Sequence, residues 1–304
     1  MKSRVLIAAL AVSLIGSVSA NAVIKPTTVK IATLPVLAED KFFAGTGGQW
    51  FSTLPSKQAI YMVGSAEQVS GPTQGEVLAI DPMSGQKGWD FLTTGSTDSI
   101  ALAATFDTAG NIWIAGNTAA APSTPTPTPT PTNVVNPSGV VVTPLAPARR
   151  DLTLISVWEV SPRGVLLASY QYDTGTVLAP LSIKSVKGSF LISGANFQLS
   201  VDALGNFTKF ARVSVVPVKD ATTQSFKDGL YIWKSYISKN PIVGVTGWKP
   251  TKPGQVILKV GSRTGKVYAA YKVTDPMLKI DFLAGLGLVI TTETAKGIKI
   301  SLLK

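Results

Sequence analysis

The stretch GVTGWKPTKPG, Gly244 to Gly254, sets one indole, Trp248, among glycines with two ammonium groups, Lys249 and Lys252, close by. An exposed aromatic face flanked by cations suits a sugar ring bearing acidic groups, because the ring stacks on the indole and the acids pair with the lysines. The alternative is that Trp248 folds back to cover the core. Cutting a sugar chain needs different equipment, two carboxyl groups facing each other across the glycosidic bond. Lys184, Lys279 and Asp281 lie in short alternating segments that direct such side chains to one side of a strand.

Several chemistries are excluded at once. The chain has no Cys and no His, which removes disulfides, thiolate nucleophiles, Cys/His metal clusters, histidine triads and a lipid-bearing cysteine. No calcium loop of the EF type, phosphate-cradling glycine loop or nucleophile elbow is found, and no metal or cofactor is expected. Asp81, Asp107 and Asp202 open turns, where a short carboxylate accepts hydrogen bonds from the amides that follow.

The elements that carry these residues repeat. PSKQAIYMVG from Pro55, DTAGNIWIAG from Asp107, VKGSFLISG from Val186, FKDGLYIW from Phe226 and FLAGLGLVI from Phe282 each place a tight turn before a β-branched and aromatic run. A second hairpin type alternates with them: LAIDPMSGQKGWDF from Leu78, SVWEVSPRGVLLASY from Ser156, LSVDALGNFTKFARV from Leu199 and LKVGSRTGKVYAAYKV from Leu258. Their turns end in Gly85, Gly164, Gly205 and Gly265. Two hairpins make a four-stranded unit, and such units pack as the blades of an all-β propeller.

The count predicts five blades, with six irregular ones as the alternative. The lone strand TTVKIATLPV near the N-terminus and the lone GIKISLLK at the C-terminus complete the fifth, so Val29 to Leu34 is expected beside Ile298 to Leu303. The innermost strands are expected near Trp50–Leu54, Ile100–Phe106, Leu181–Val186, Thr222–Phe226 and Leu278–Phe282, with Asp281 as their one carboxylate and Lys184 and Lys279 in similar positions. That lining suits holding an anion better than protonating a glycosidic oxygen. FDTAGNIWIAGNT resembles the short β-propeller repeats of secreted bacterial proteins, and GEVLAIDPMSGQKGWDF is similar to the strand-turn-strand of quinoprotein-like repeats. The resemblance implies fold; the quinone and calcium ligands of that family have no matching residues.

The N-terminus reads MKSRVLIAALAVSLIGSVSANA, with Lys2 and Arg4 before an apolar run and small residues after it, a secretory leader cleaved after Ala20 or Ala22. An uncleaved anchor is the alternative, against which the run is shorter than the ~20 residues of a span. No later stretch is apolar enough to cross a bilayer. The expected organisation is a leader over 1–20 and one domain over 21–304. Within it, 118–150 forms a loop insertion containing PSTPTPTPTPT, a polyproline II tract with no place in a sheet; a linker between two domains is the competing reading. Lys and Arg number 28 against 17 Asp and Glu, and 26 once Lys2 and Arg4 leave with the leader. The expectation is an extracytoplasmic, non-catalytic binding or scaffold protein whose partner is an anionic envelope glycan or an envelope protein. A carbohydrate-active enzyme is the runner-up. Nucleic acid is not expected, because the basic residues are scattered.

Overall fold

In the computed structural model, residues 28–39, 49–68, 71–120, 152–214, 223–294 and 297–304 are described. The expected leader, residues 121–150 of the expected 118–150 insertion and Asp151 lie outside them. The protein is all-β. Two short N-terminal strands, β1 (Val29–Lys30) and β2 (Ala32–Thr33), precede five antiparallel sheets in chain order.

The first sheet is β3 (Gln49–Pro55), β4 (Ile60–Ala66), β5 (Gln74–Ile80) and β6 (Lys87–Leu92). The second is β7 (Ser99–Phe106), β8 (Ile112–Thr118), β9 (Leu154–Val160) and β10 (Leu166–Asp173). The third is β11 (Pro180–Val186), β12 (Ser189–Gly194), β13 (Phe197–Asp202) and β14 (Phe207–Arg212). The fourth holds β15 (Gln224–Asp228), β16 (Tyr231–Ser238), β18 (Gly254–Gly261) and β19 (Val267–Val273), and the short β17 (Val245–Thr246) lies in the β16–β18 loop. The fifth has three strands, β20 (Met277–Leu283), β21 (Gly287–Thr294) and β22 (Gly297–Leu303). Each sheet is a meander of neighbours in sequence, and β8 pairs directly with β9 from Thr118 opposite Leu154.

Turn chemistry sets the meander. Asp81 Oδ1 accepts from the amides of Met83 (2.8 Å) and Ser84 (2.6 Å), and Asp107 and Asp202 do the same in their turns. Gly85, Gly164, Gly205 and Gly265 close the second hairpins with φ of 71, 81, 84 and 66°, the left-handed region that glycine enters without strain.

The cores lie between sheets. Along β4, Tyr61 and Val63 pack with Ile112, Ile114 and Trp158 of the second sheet, while Ile60 and Met62 pack with Val289 and Ile300 of the fifth. A second strand buried on both faces carries no polar alternation, which is why these strands read as unbroken apolar runs. Clusters of this kind join the third sheet to the second, the second to the first, the first to the fifth and the fifth to the fourth. Among the described residues no cluster joins the third sheet to the fourth. The matching face of the fourth sheet, with Leu258 and Val260, is covered instead by Val29 and Ile31 and by Ile242 and Val245 of the β16–β18 loop.

This corrects the expected pairing of the chain ends. Val29 to Leu34 does not lie beside Ile298 to Leu303: β1 runs parallel to β17, and β2 parallel to Tyr271 and Lys272 of β19. Backbone bonds to the C-terminal strand come from Leu37 and Ala38, through Leu37 N to Ile300 O (2.8 Å) and a bridge between Ala38 and Ile300. The reason is burial. Val29 and Ile31 serve the fourth sheet, Leu34 the layer between the fourth and fifth, and Leu37 and Ala38 the layer between the fifth and first. Pro35, lacking an amide donor, separates the two pairings. The segment is a strap across three sheets.

The strap ends against the turn of the first sheet. A methyl group on Gly85 would sit 2.0 Å from the Leu37 carbonyl oxygen, in a backbone with φ of 71°. Gly110 has a similar φ of 88° with open space around it. Gly110→Ala is therefore expected to cost about 1–2 kcal/mol from backbone strain alone, and Gly85→Ala more than that, measured as a shift in urea midpoint. Trypsin cleavage after Lys30 should accelerate in Gly85→Ala and stay unchanged in Gly110→Ala; equal cleavage in both would show that the strap does not depend on this contact.

Candidate functional site

The first strands of the sheets carry a common irregularity. β3, β7, β11 and β20 each hold one extra residue relative to the neighbouring strand, between Trp50 and Ser52, Ala101 and Ala103, Pro180 and Ser182, and Met277 and Lys279. A bulge of this kind reverses the side-chain alternation beyond it. The extra residues are Phe51, Leu102, Leu181 and Leu278, and three of them are 42, 53 and 41% exposed (Phe51, Leu181 and Leu278).

Beyond its bulge, β20 turns Lys279 and Asp281 toward the first sheet. Lys279 Nζ donates to Ser52 Oγ (2.9 Å) and to the Thr53 carbonyl oxygen (2.8 Å), and lies 3.4 Å from Asp281 Oδ2. The Thr53 hydroxyl donates to the same carboxylate oxygen. These four residues are a polar clasp between the first strands of two sheets. Lys184 is in a different situation. It stands opposite Leu191 as Asp281 stands opposite Val289, so its register matches Asp281 rather than Lys279. It is exposed on the face of the third sheet that no other described sheet covers.

The first strand of the fourth sheet runs two residues further than expected and adds a carboxylate, Asp228. That group is also engaged. It accepts from Trp233 Nε1 (3.3 Å) and lies 3.7 Å from Lys259 Nζ, which in turn stands over the Tyr231 and Trp233 rings at 4.8 and 4.9 Å.

Trp248 lies half-buried against the start of β18, with its ring edge 2.8 Å from where a Cβ on Gly254 would be. Its indole N–H is buried and has no hydrogen-bond partner among the described residues. Lys249 and Lys252 are exposed beside it. The loop thus presents two ammonium groups, with the indole turned to the protein.

Glu76 was not anticipated from the sequence. It is 2% exposed on β5, opposite Gly64 and Leu92, and its Oε2 has no hydrogen-bond partner among the described residues. Burial, reinforced by the negative charge of Asp90 and opposed by Lys87, pushes its carboxyl up to about 7. The signal was parity: in QGEVLAI, Glu76 shares a face with Leu78 and Ile80, which pack on the fifth sheet. Thr291, on the opposing face of β21, is likewise buried with a partnerless hydroxyl. Among the described residues no three metal-ligating side chains come together.

Between the first and second sheets lies a cleft of ≈ 230 Å³, formed by the β6–β7 connection on one side and by β9 and β10 on the other. Its polar lining is hydroxyl and amide, including Thr94, Ser96, Ser169 and Gln171, over an apolar patch with Trp158.

No family model matches the chain, and no curated protein matches it. Among solved structures it is similar to a protein of unknown function from Bacteroides caccae, with 12% identity, 82% of this chain and 72% of that one covered, and a TM-score of 0.37. It is similar to a subtype N10 neuraminidase-like protein of A/little yellow-shouldered bat/Guatemala/060/2010, at 10% identity, 83% and 78% coverage and a TM-score of 0.33. A third is the Dos1 propeller, at 10% identity, 77% and 49% coverage and a TM-score of 0.28.

Two outcomes are expected for the groups between the first and fifth sheets. The folded state holds the Glu76 proton up to about pH 7, whereas the unfolded chain releases it near the usual glutamate value. Stability is therefore full at low pH and falls between about 4.5 and 7, by about 3 kcal/mol from this group. Glu76→Gln should remove that part of the slope, seen as the difference between the two urea-midpoint profiles. For the clasp, Lys279→Met should cost about 1–3 kcal/mol by taking the ammonium donor from the Thr53 carbonyl and the countercharge from Asp281, which keeps only the Thr53 hydroxyl. Adding Asp281→Leu should recover part of it, and strict additivity in that double-mutant cycle would show that the two groups do not interact.

Proposed function

We propose that this chain is an exported, non-catalytic binding module built as a five-bladed β-propeller, and that its ligand is an acidic glycan of the cell envelope. The export step rests on the leader, and the five blades on the five meanders. Closure of the ring would fall between the third and fourth sheets, where the strap covers the apolar face of the fourth.

One contrast carries the binding reading. The carboxylates of the first strands are tied, Asp281 to Lys279 and Thr53 and Asp228 to Trp233 and Lys259, while Lys184, Lys249 and Lys252 are exposed with no partner among the described residues. Cleavage of a glycoside needs a carboxylic acid free to give up its proton and a second carboxylate opposite it. Holding an acidic polymer needs only accessible cations on a rigid frame, and long loops gathered on such a frame are where binding usually resides.

The test uses the mature chain on polygalacturonate-coupled resin. Retention should fall steeply as salt rises, because exposed charge pairs are screened. The triple variant Lys184→Gln/Lys249→Gln/Lys252→Gln should elute at clearly lower salt with an unchanged urea midpoint. Retention that ignores salt and all three lysines would overturn the reading, and release of reducing sugar ends from the polymer would replace it with the hydrolase.

A further inference from the structure

We propose that the cleft between the first and second sheets is a binding site for a single uncharged sugar residue, separate from the lysines that face an acidic polymer. Its lining explains the choice. Of thirteen lining residues, eight carry a hydroxyl or a side-chain amide and none is charged.

The buried hydroxyls of the lining are already satisfied. Thr93 and Ser99 share a 2.6 Å hydrogen bond, and both accept from the Gly75 amide, at 2.8 and 3.2 Å. Thr118 Oγ1 accepts from Ser156 Oγ at 2.7 Å. These bonds fix the walls. The exposed groups Thr94, Ser96, Ser169 and Gln171 have no hydrogen-bond partner among the described residues, and they are free to bond a ligand. Leu154, Trp158 and Leu166 supply an apolar patch in the same cleft.

A pyranose matches both features. Its rim of hydroxyls gives and takes hydrogen bonds in the way the free Thr, Ser and Gln groups do, and its C–H face covers the partly exposed apolar side chains of Leu154 and Leu166, behind which Trp158 is buried. A charged ligand does not match, because it would lose hydration on entering and meet no opposite charge. Size points the same way: the ≈ 230 Å³ volume is below the about 300–1,000 Å³ of sites for larger ligands, so it fits one ring rather than a length of chain. The inference does not depend on the lysine reading.

The experiment is a saturation-transfer NMR titration of the mature chain with glucose, galactose and N-acetylglucosamine, and with glucuronate as the charged counterpart of glucose. At least one neutral sugar should bind saturably, with glucuronate at least about tenfold weaker than the best of them. Ser169→Trp, which fills the cleft from an exposed position, should abolish the signal at unchanged urea midpoint; Gln171→Ala should weaken it several-fold and serves if the first variant does not fold. No saturable neutral sugar, glucuronate equal to the best sugar, or full binding in both variants would overturn the proposal. Salt-dependent retention on the acidic resin should survive Ser169→Trp, and sugar binding should survive the triple lysine variant, so that each reading fails on its own measurement.

Discussion

The architecture depends on one demand: sheets stacked side by side must cover both faces of every second and third strand. Four of the interfaces meet it with apolar side chains from neighbouring sheets. The series still has two ends. The third sheet ends with a polar face, since along β13 Phe197, Leu199 and Val201 are buried while Gln198 is exposed. The fourth ends with an apolar one, and the strap from Val29 to Ala38 is what covers it. The same few residues then cross two further layers, so local detachment at one point loosens the edges of three sheets at once.

Much of this was legible because turns and buried runs leave strong local marks. Asp and Gly at fixed offsets announce a hairpin through the hydrogen bonds and the left-handed angle they allow, and the innermost strands fall within two residues of their expected bounds, β15 being shifted along the chain with the expected Thr222 outside the described residues. The end pairing was not legible. TTVKIATLPV alternates like any strand, and nothing local says whether its apolar side belongs to the fifth sheet or the fourth. The unpaired apolar face of β18 and β19 decides that, a long-range fact. The bulges were also hidden, since Phe51, Leu102, Leu181 and Leu278 look like ordinary members of an alternating run; the extra residue shows only when the partner strand is laid beside it.

The same limit explains the site residues. Strand position and residue type marked Lys279 and Asp281 as inward polar groups, yet their partners, Ser52 and Thr53, are more than two hundred residues earlier in the chain. Glu76 sits in an apolar strand near a loop, where the simplest reading of a glutamate is a solvated one. Only the neighbouring sheet makes its position a buried one. Trp248 had two readings, exposed platform or cover, and the decision rests on the approach of its ring to Gly254.

Charge and geometry then pull in different directions. The excess of 26 Lys and Arg, without Lys2 and Arg4, over 17 Asp and Glu gives a net positive field, and attraction by such a field confers little selectivity, because exposed pairs are screened and bond geometry is not fixed. The hydroxyl-lined cleft has the opposite character: weak at long range, but with donors and acceptors held by a hydrogen-bonded frame. On the two proposed readings together, a polymer carrying both acidic and neutral sugar units would engage both sites, the field raising its local concentration and the cleft selecting which residue is seated. Linked contacts of this kind multiply rather than add, provided that the spacing of the units along the chain spans the distance between them.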